Sequence, residues 1–198
     1  MKFKAVPIAV FALMVVTGCR VQVDNDKNGQ EKNVKVDTPL GAMHVQTNNT
    51  SAADMGLPVY PGAKVTSGDG DSKSADVHVG VGPWQLRVKV VNYQTQDSED
   101  KVIDFYRKAL GRYGDVIECR GSKPVGTPTA TREGLTCEDK GSSHHNQVQI
   151  SSDRVGLKAG SERRQHLMEI KRSGVNGTDF TLVALELPGD MESPGESQ

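Results

Sequence analysis

Two adjacent histidines, His144 and His145, follow shortly after Cys137, Glu138 and Asp139. Imidazole and carboxylate groups gathered this closely can bind zinc or copper, which makes the pair the candidate metal site of the chain. Adjacent histidines on a loop point different ways unless a turn folds them together, so a solvated loop is the simpler reading. A second cluster, Arg163, Arg164, His166, Lys171 and Arg172, concentrates positive charge near the end of the chain. It could meet phosphates of a lipid leaflet or a polyanion, with Arg163 and Arg164 as the candidate binding residues; a solvated turn explains the same charges. His44, His78 and His166 are single residues at strand positions and read as surface or satisfied groups rather than ligands. Asp24, Asp26, Asn28 and Gly29 begin a calcium-loop pattern, but Lys35 stands where a bidentate glutamate belongs. The sequence contains no nucleophile elbow, phosphate-binding loop, paired zinc-protease histidines or dinucleotide fingerprint. No residue is therefore assigned a catalytic role, and no cofactor is implied.

The chain opens with Lys2 and Lys4, continues with an uncharged, almost wholly apolar run from Ala5 to Val16, and closes the segment with Val16-Thr17-Gly18-Cys19. About twelve apolar residues are too few to cross a hydrocarbon core of about 30 Å, and the order basic, apolar, small is that of a secretory leader. The VTGC motif resembles the lipobox of bacterial lipoprotein precursors. That resemblance implies a signal peptide over residues 1–18, cleavage before Cys19, and diacylation of Cys19 as the membrane anchor. Arg20 rather than an aspartate after the cysteine implies, by resemblance to enterobacterial sorting, the outer membrane, facing the periplasm. Removing Lys2 and Lys4 with the leader turns 24 basic residues into 22 against 25 acidic ones, a formal charge of −3. Such a balance argues against nucleic acid as a partner and leaves the membrane and an envelope protein. With Cys19 lipidated, Cys119 and Cys137 remain, and an even pair in an exported chain points to a disulfide. Closing that loop is worth roughly 3 kcal/mol in the chain-entropy model. Neither cysteine sits in a C-x-x-C, which disfavours a zinc or redox pair.

The element that must position everything else is the stretch from Asp97 to Gly114. Val102, Phe105, Tyr106, Ala109, Leu110 and Tyr113 recur at three- and four-residue spacing, while Asp104, Arg107, Lys108 and Arg112 fall opposite. An amphipathic helix is expected, capped by Ser98 or Asp97, stopped by a left-handed Gly114, and packed on Trp84, Leu86 and Val88 on one side and the last strand on the other. Around it the sequence reads as strand and turn. Residues 19–33 have the polar composition of a flexible tether, and 34–47 alternate around Pro39-Leu40-Gly41 as a β-hairpin. Residues 48–62 form an extended linker whose prolines fix its course, 63–187 form the core domain, and 188–198 a disordered tail. Apolar residues on both faces of Phe180 to Leu185 predict a central strand, and Gly174-Val175-Asn176-Gly177 a hairpin before it.

The PVYPGA segment at residues 58–63, with Phe105-Tyr106 in the helix and Tyr113-Gly114 after it, resembles a recurrent domain of uncharacterised bacterial lipoproteins over about residues 57–187. Its motifs are structural and bring no activity or ligand. The expected fold class is α+β, an antiparallel sheet curved around one main amphipathic helix and preceded by a β-hairpin. The expected function is that of a lipid-anchored envelope protein acting by binding or assembly, with a divergent hydrolase or a metal-sequestering lipoprotein as the alternatives.

Overall fold

The computed structural model describes residues 19–25, 31–68, 72–138, 150–152, 154–175 and 177–188. The leader, the pair His144 and His145 with Asp139, residues 26–30 of the expected tether, and the tail beyond residue 188 lie outside them. The described residues fold as α+β: an open antiparallel sheet with one α-helix packed on it. In chain order the elements are β1 (Arg20–Asn25), β2 (Glu31–Thr38), β3 (Gly41–Thr47), β4 (Lys64–Val65), β5 (Ser74–Val81), β6 (Trp84–Thr95), α1 (Glu99–Leu110), β7 (Ile117–Arg120), β8 (Lys123–Pro124), β9 (Val155–Ser161), β10 (Arg164–Gly174) and β11 (Gly177–Glu186). Across the sheet the order is β1-β2-β3-β5-β6-β11-β10-β9-β7-β8, with β4 pairing the far end of β6. The expected hairpin is β2 and β3, but it is no separate unit. Strand β3 pairs with β5 from Ala42↔Gly80 to Thr47↔Ala75, so the hairpin continues the sheet.

Strand β11 lies between β6 and β10 and is covered on both faces, as its two-sided apolar pattern predicts. Phe180 and Leu182 join the larger buried cluster with Val91 and Tyr93 of β6, Leu157 and Ala159 of β9, and Met168 and Ile170 of β10. Helix α1 closes this face with Val102, Ile103, Tyr106 and Leu110, all buried. Phe105, Ala109 and Tyr113 pack against the cluster from its margin. Ser98 occupies the N-cap position without a side-chain cap bond, and α1 runs into a 3-10 turn at Gly111–Tyr113. Gly114 follows with φ +129°, a backbone angle side-chain-bearing residues rarely adopt, although not the left-handed helical value expected.

The expected seat of the helix is corrected. Trp84, Leu86 and Val88 alternate with Arg87, Lys89 and Val91, and only the latter set shares the helix face, so α1 rests on β9, β10 and β11 instead. The partner missing from that expectation is the supposed linker. Ala52, Met55, Leu57 and Tyr60 are buried in the helix-side core, and the segment is fastened at several points. Ala52 N donates to Tyr93 Oη (3.2 Å), Tyr106 Oη to Pro58 O (3.2 Å), and Tyr60 Oη to Asp97 Oδ2 (2.9 Å). Tyr60 meets Phe105 edge-on at 5.0 Å, and Tyr93 stacks on Phe180 at 5.5 Å.

The opposite face is closed locally by the loop that carries Cys137. Cys119 and Cys137 form a disulfide with Cα atoms 5.5 Å apart, and both are buried with Ile117, Ile150 and Leu167. Cys119 lies on β7, whereas Cys137 is in a loop with one isolated bridge, Ala130↔Thr136. Lys158 is buried beneath this loop and donates from Nζ to Thr136 O at 2.8 Å. Arg20–Asn25 is corrected too: composition predicts a flexible tether, and the segment is a strand paired with β2 from Arg20↔Asp37 onward. Val21 and Val23, opposite Val36 and Val34, supply the alternation that its polar neighbours mask.

Candidate functional site

Sheet register gathers the basic residues of β6 and β10 at one end of the helix-bearing face. Arg87 pairs with Glu186, which pairs with Arg164; in the adjoining row Lys89 pairs with Ala184, which pairs with His166. A 3-10 turn at Ala53–Met55 from the buried linker stands over both rows. Between them lies a cavity of about 220 Å³ lined by Asp54, Met55, Arg87, Lys89, Arg164, His166 and Glu186, the last between the two arginines.

Each wall of this cavity is held in place. Arg87 forms a two-point ion pair with Asp76, Nη2 to Oδ2 at 2.7 Å and Nε to Oδ1 at 3.1 Å, and Asp76 raises the basicity of the guanidinium further. Lys89 Nζ donates to Asp54 O at 2.6 Å, tying the sheet to the turn. The Asp54 carboxylate accepts from Ser51 Oγ (2.6 Å) and Ser51 N (2.8 Å), and these bonds hold its pKa below the ordinary carboxylate value. Asp54 thus serves the turn as an acceptor and is a poor source of protons near neutrality.

His166 is the least expected wall. Its ring stacks on Tyr113 at 3.7 Å with 12° between planes, and Tyr113 Oη donates to Gly56 O at 2.8 Å. Burial pushes the imidazole pKa down, only partly opposed by a hydrogen bond to the Met55 backbone and by Glu186. The ring is therefore neutral at pH 7. Its Nδ1 is buried and has no hydrogen-bond partner among the described residues. Arg87 and Lys89 on one strand and Arg164 on another, beside a neutral imidazole, suit a small ligand that bears an anionic group.

Of the candidates read from the sequence, Arg164 lines this cavity, while Arg163 sits in the β9–β10 turn with its carbonyl accepting from Leu187 N at 2.8 Å. Lys171, grouped with them by sequence, lies toward the other end of β10 beside a polar cavity of about 400 Å³ with Asn92, Arg154 and Asp179. Cys19 is exposed with a free thiol, one residue before β1. Among the described residues, no group of three or more His, Cys, Asp or Glu is arranged to hold a metal ion, and no helix is long and apolar enough to cross a membrane. Asp54, Arg87, Lys89 and Glu186 went unread as site residues because they come from distant segments that only register unites. The available signal was Arg87 and Lys89 alternating on the polar side of β6.

The N-terminal half of the sheet is two-sided in another way. Lys35, His44, His78 and Arg87 form a polar cross-strand row on the helix side. On the reverse side run two apolar rows, Val21-Val36-Met43-Val79-Leu86 and Val23-Val34-Val45-Val77-Val88. These side chains are half-buried to exposed, and none belongs to either buried cluster of the described residues.

Comparison of the chain with protein-family models, with curated proteins and with solved structures finds no match in any of the three. What the chain can do rests on its own sequence and geometry.

Proposed function

We propose that the chain is a lipid-anchored cell-envelope protein acting as a binding or assembly module, held through Cys19 in the outer membrane and facing the periplasm. The leader and VTGC motif support the address, and the Cys119–Cys137 disulfide fits an oxidising compartment. The observation that carries the binding role is the cavity between β6, β11, β10 and the Ala53–Met55 turn. Arg87, Lys89 and Arg164 line it beside a neutral His166. Its ligand is small and anionic.

The cavity is tested by titrating inorganic phosphate and acetate, one at a time, into the disulfide-bonded domain while following the His166 ring resonances. Saturable shifts in His166 that disappear in Arg164→Ala support the site. Shifts absent at every concentration, or unchanged in Arg164→Ala, count against anion recognition there.

A further inference from the structure

The end of the sheet that carries Cys19 also carries two hairpin tips with exposed apolar residues. Arg20 pairs with Asp37, so Cys19 stands level with the Thr38–Gly41 turn between β2 and β3. On the next strand pair, Val81 pairs with Trp84 across the Gly82-Pro83 turn between β5 and β6. The two tips touch: a Cβ added at Gly41 would lie 2.7 Å from Val81 Cγ2 and 2.4 Å from Gly80 O. Leu40 projects from the first tip with 82% of its surface exposed, Val81 is exposed in the second, and Trp84 is half-buried beside it. The first turn is braced from within. Thr38 Oγ1 donates to Gly41 O at 2.8 Å and accepts from Gly41 N at 3.1 Å, which fixes Leu40 outward. Behind these tips, on the face that alternation gives to Val81 and Trp84, lies the apolar row of Val21, Val36, Met43, Val79 and Leu86.

We propose that this edge docks on the lipid bilayer, with Leu40, Val81 and Trp84 inserted at the level of the headgroups beside Cys19. The inference rests on the proposed lipidation of Cys19 and goes beyond it, since an anchor alone leaves the orientation of the domain open. Chain length decides the matter. One residue spans at most about 3.6 Å, and β1 begins at the residue after Cys19, so acyl chains on Cys19 bring the bilayer to this edge unless β1 detaches from β2. Tryptophan and exposed leucine are side chains suited to the interface, where an apolar body is buried and the indole N–H stays hydrated. The strands behind the tips are already paired, so only the turn backbone meets the headgroup layer, where water remains to hydrate it. Docking in this way stands the helix-bearing face on edge to the membrane, with the cavity beginning at Arg87, three residues in from Trp84.

Trp84 is the single tryptophan of the chain, so its fluorescence reports this edge alone. The full mature chain is reconstituted in vesicles of phosphatidylethanolamine and phosphatidylglycerol, with and without brominated acyl chains, and the N-terminal peptide is weighed by mass spectrometry. Docking gives bromine quenching and a blue shift of Trp84, both reduced in Leu40→Asp, whose fold is checked by circular dichroism. A lipidated Cys19 with Trp84 emission identical in the two vesicle types overturns docking and leaves the anchor standing. An unmodified Cys19 with quenched Trp84 removes the anchor and keeps the docking edge; an unmodified Cys19 without quenching removes both.

Discussion

His166 is neutral because burial penalises its charged form more than the Met55 backbone hydrogen bond and Glu186 favour it, with Arg112 adding to the penalty. A histidine whose folded pKa is depressed contributes stability that is complete above its unfolded value of 6.5 and is lost as the pH falls toward the folded value. Denaturant midpoints measured between pH 8 and pH 5 should therefore fall below about pH 6.5, and His166→Gln should flatten that part of the profile. The lowered pKa of Asp54 acts in a different window, since its contribution disappears only as the pH falls below the carboxylate range. Nothing in the sequence around His166 announces this environment. Gln165 and Leu167 are its neighbours in the chain, whereas Tyr113 and Met55 arrive from about fifty and more than a hundred residues away.

At the scale of elements, what is legible in the sequence is what repeats locally. The period of Val102, Tyr106 and Leu110 marks α1, the alternation in β5 and β6 marks that pair, and the glycines at 174 and 177 mark the β10–β11 turn. The linker is misread because proline describes the path of a backbone and not its burial, and Met55, Leu57 and Tyr60 have no period to betray them. Strand β1 is misread because six residues with two valines look polar until β2 is laid beside them. The seat of α1 is misread because the more regular apolar side of β6 faces away from it. Stability should follow the observed packing. Leu110→Ala, at a fully buried position, should cost about 2–5 kcal/mol, and Lys108→Ala on the solvent side less than about 0.5 kcal/mol. Phe105→Ala, at a partly buried position, should fall between them; chemical denaturation of the three variants checks the order. Replacing Cys119 and Cys137 together by serine should cost about 2–5 kcal/mol, read as a lower denaturant midpoint than that of the oxidised domain.

The whole molecule divides its work between two ends of one sheet. The C-terminal strands, α1 and the linker supply the buried core, and they fix the cavity at the margin of that core. The N-terminal strands extend the same sheet outward with a polar side, an apolar side and, at the strand ends, Cys19 beside two apolar tips. The fold class follows from local patterns, yet the cavity does not, because strands β6 and β11 meet only through register across some ninety residues. The proposed envelope address depends on the chemistry of one thiol, Cys19. The most direct measurement is therefore the mass of the N-terminal peptide of the mature protein isolated from membranes of a bacterial host. A peptide that begins at Cys19 and carries acyl chains, lost together with fatty-acid labelling in Cys19→Ser, is the expected result. A mature chain found in membranes with an intact leader, or with an unmodified Cys19, would contradict it.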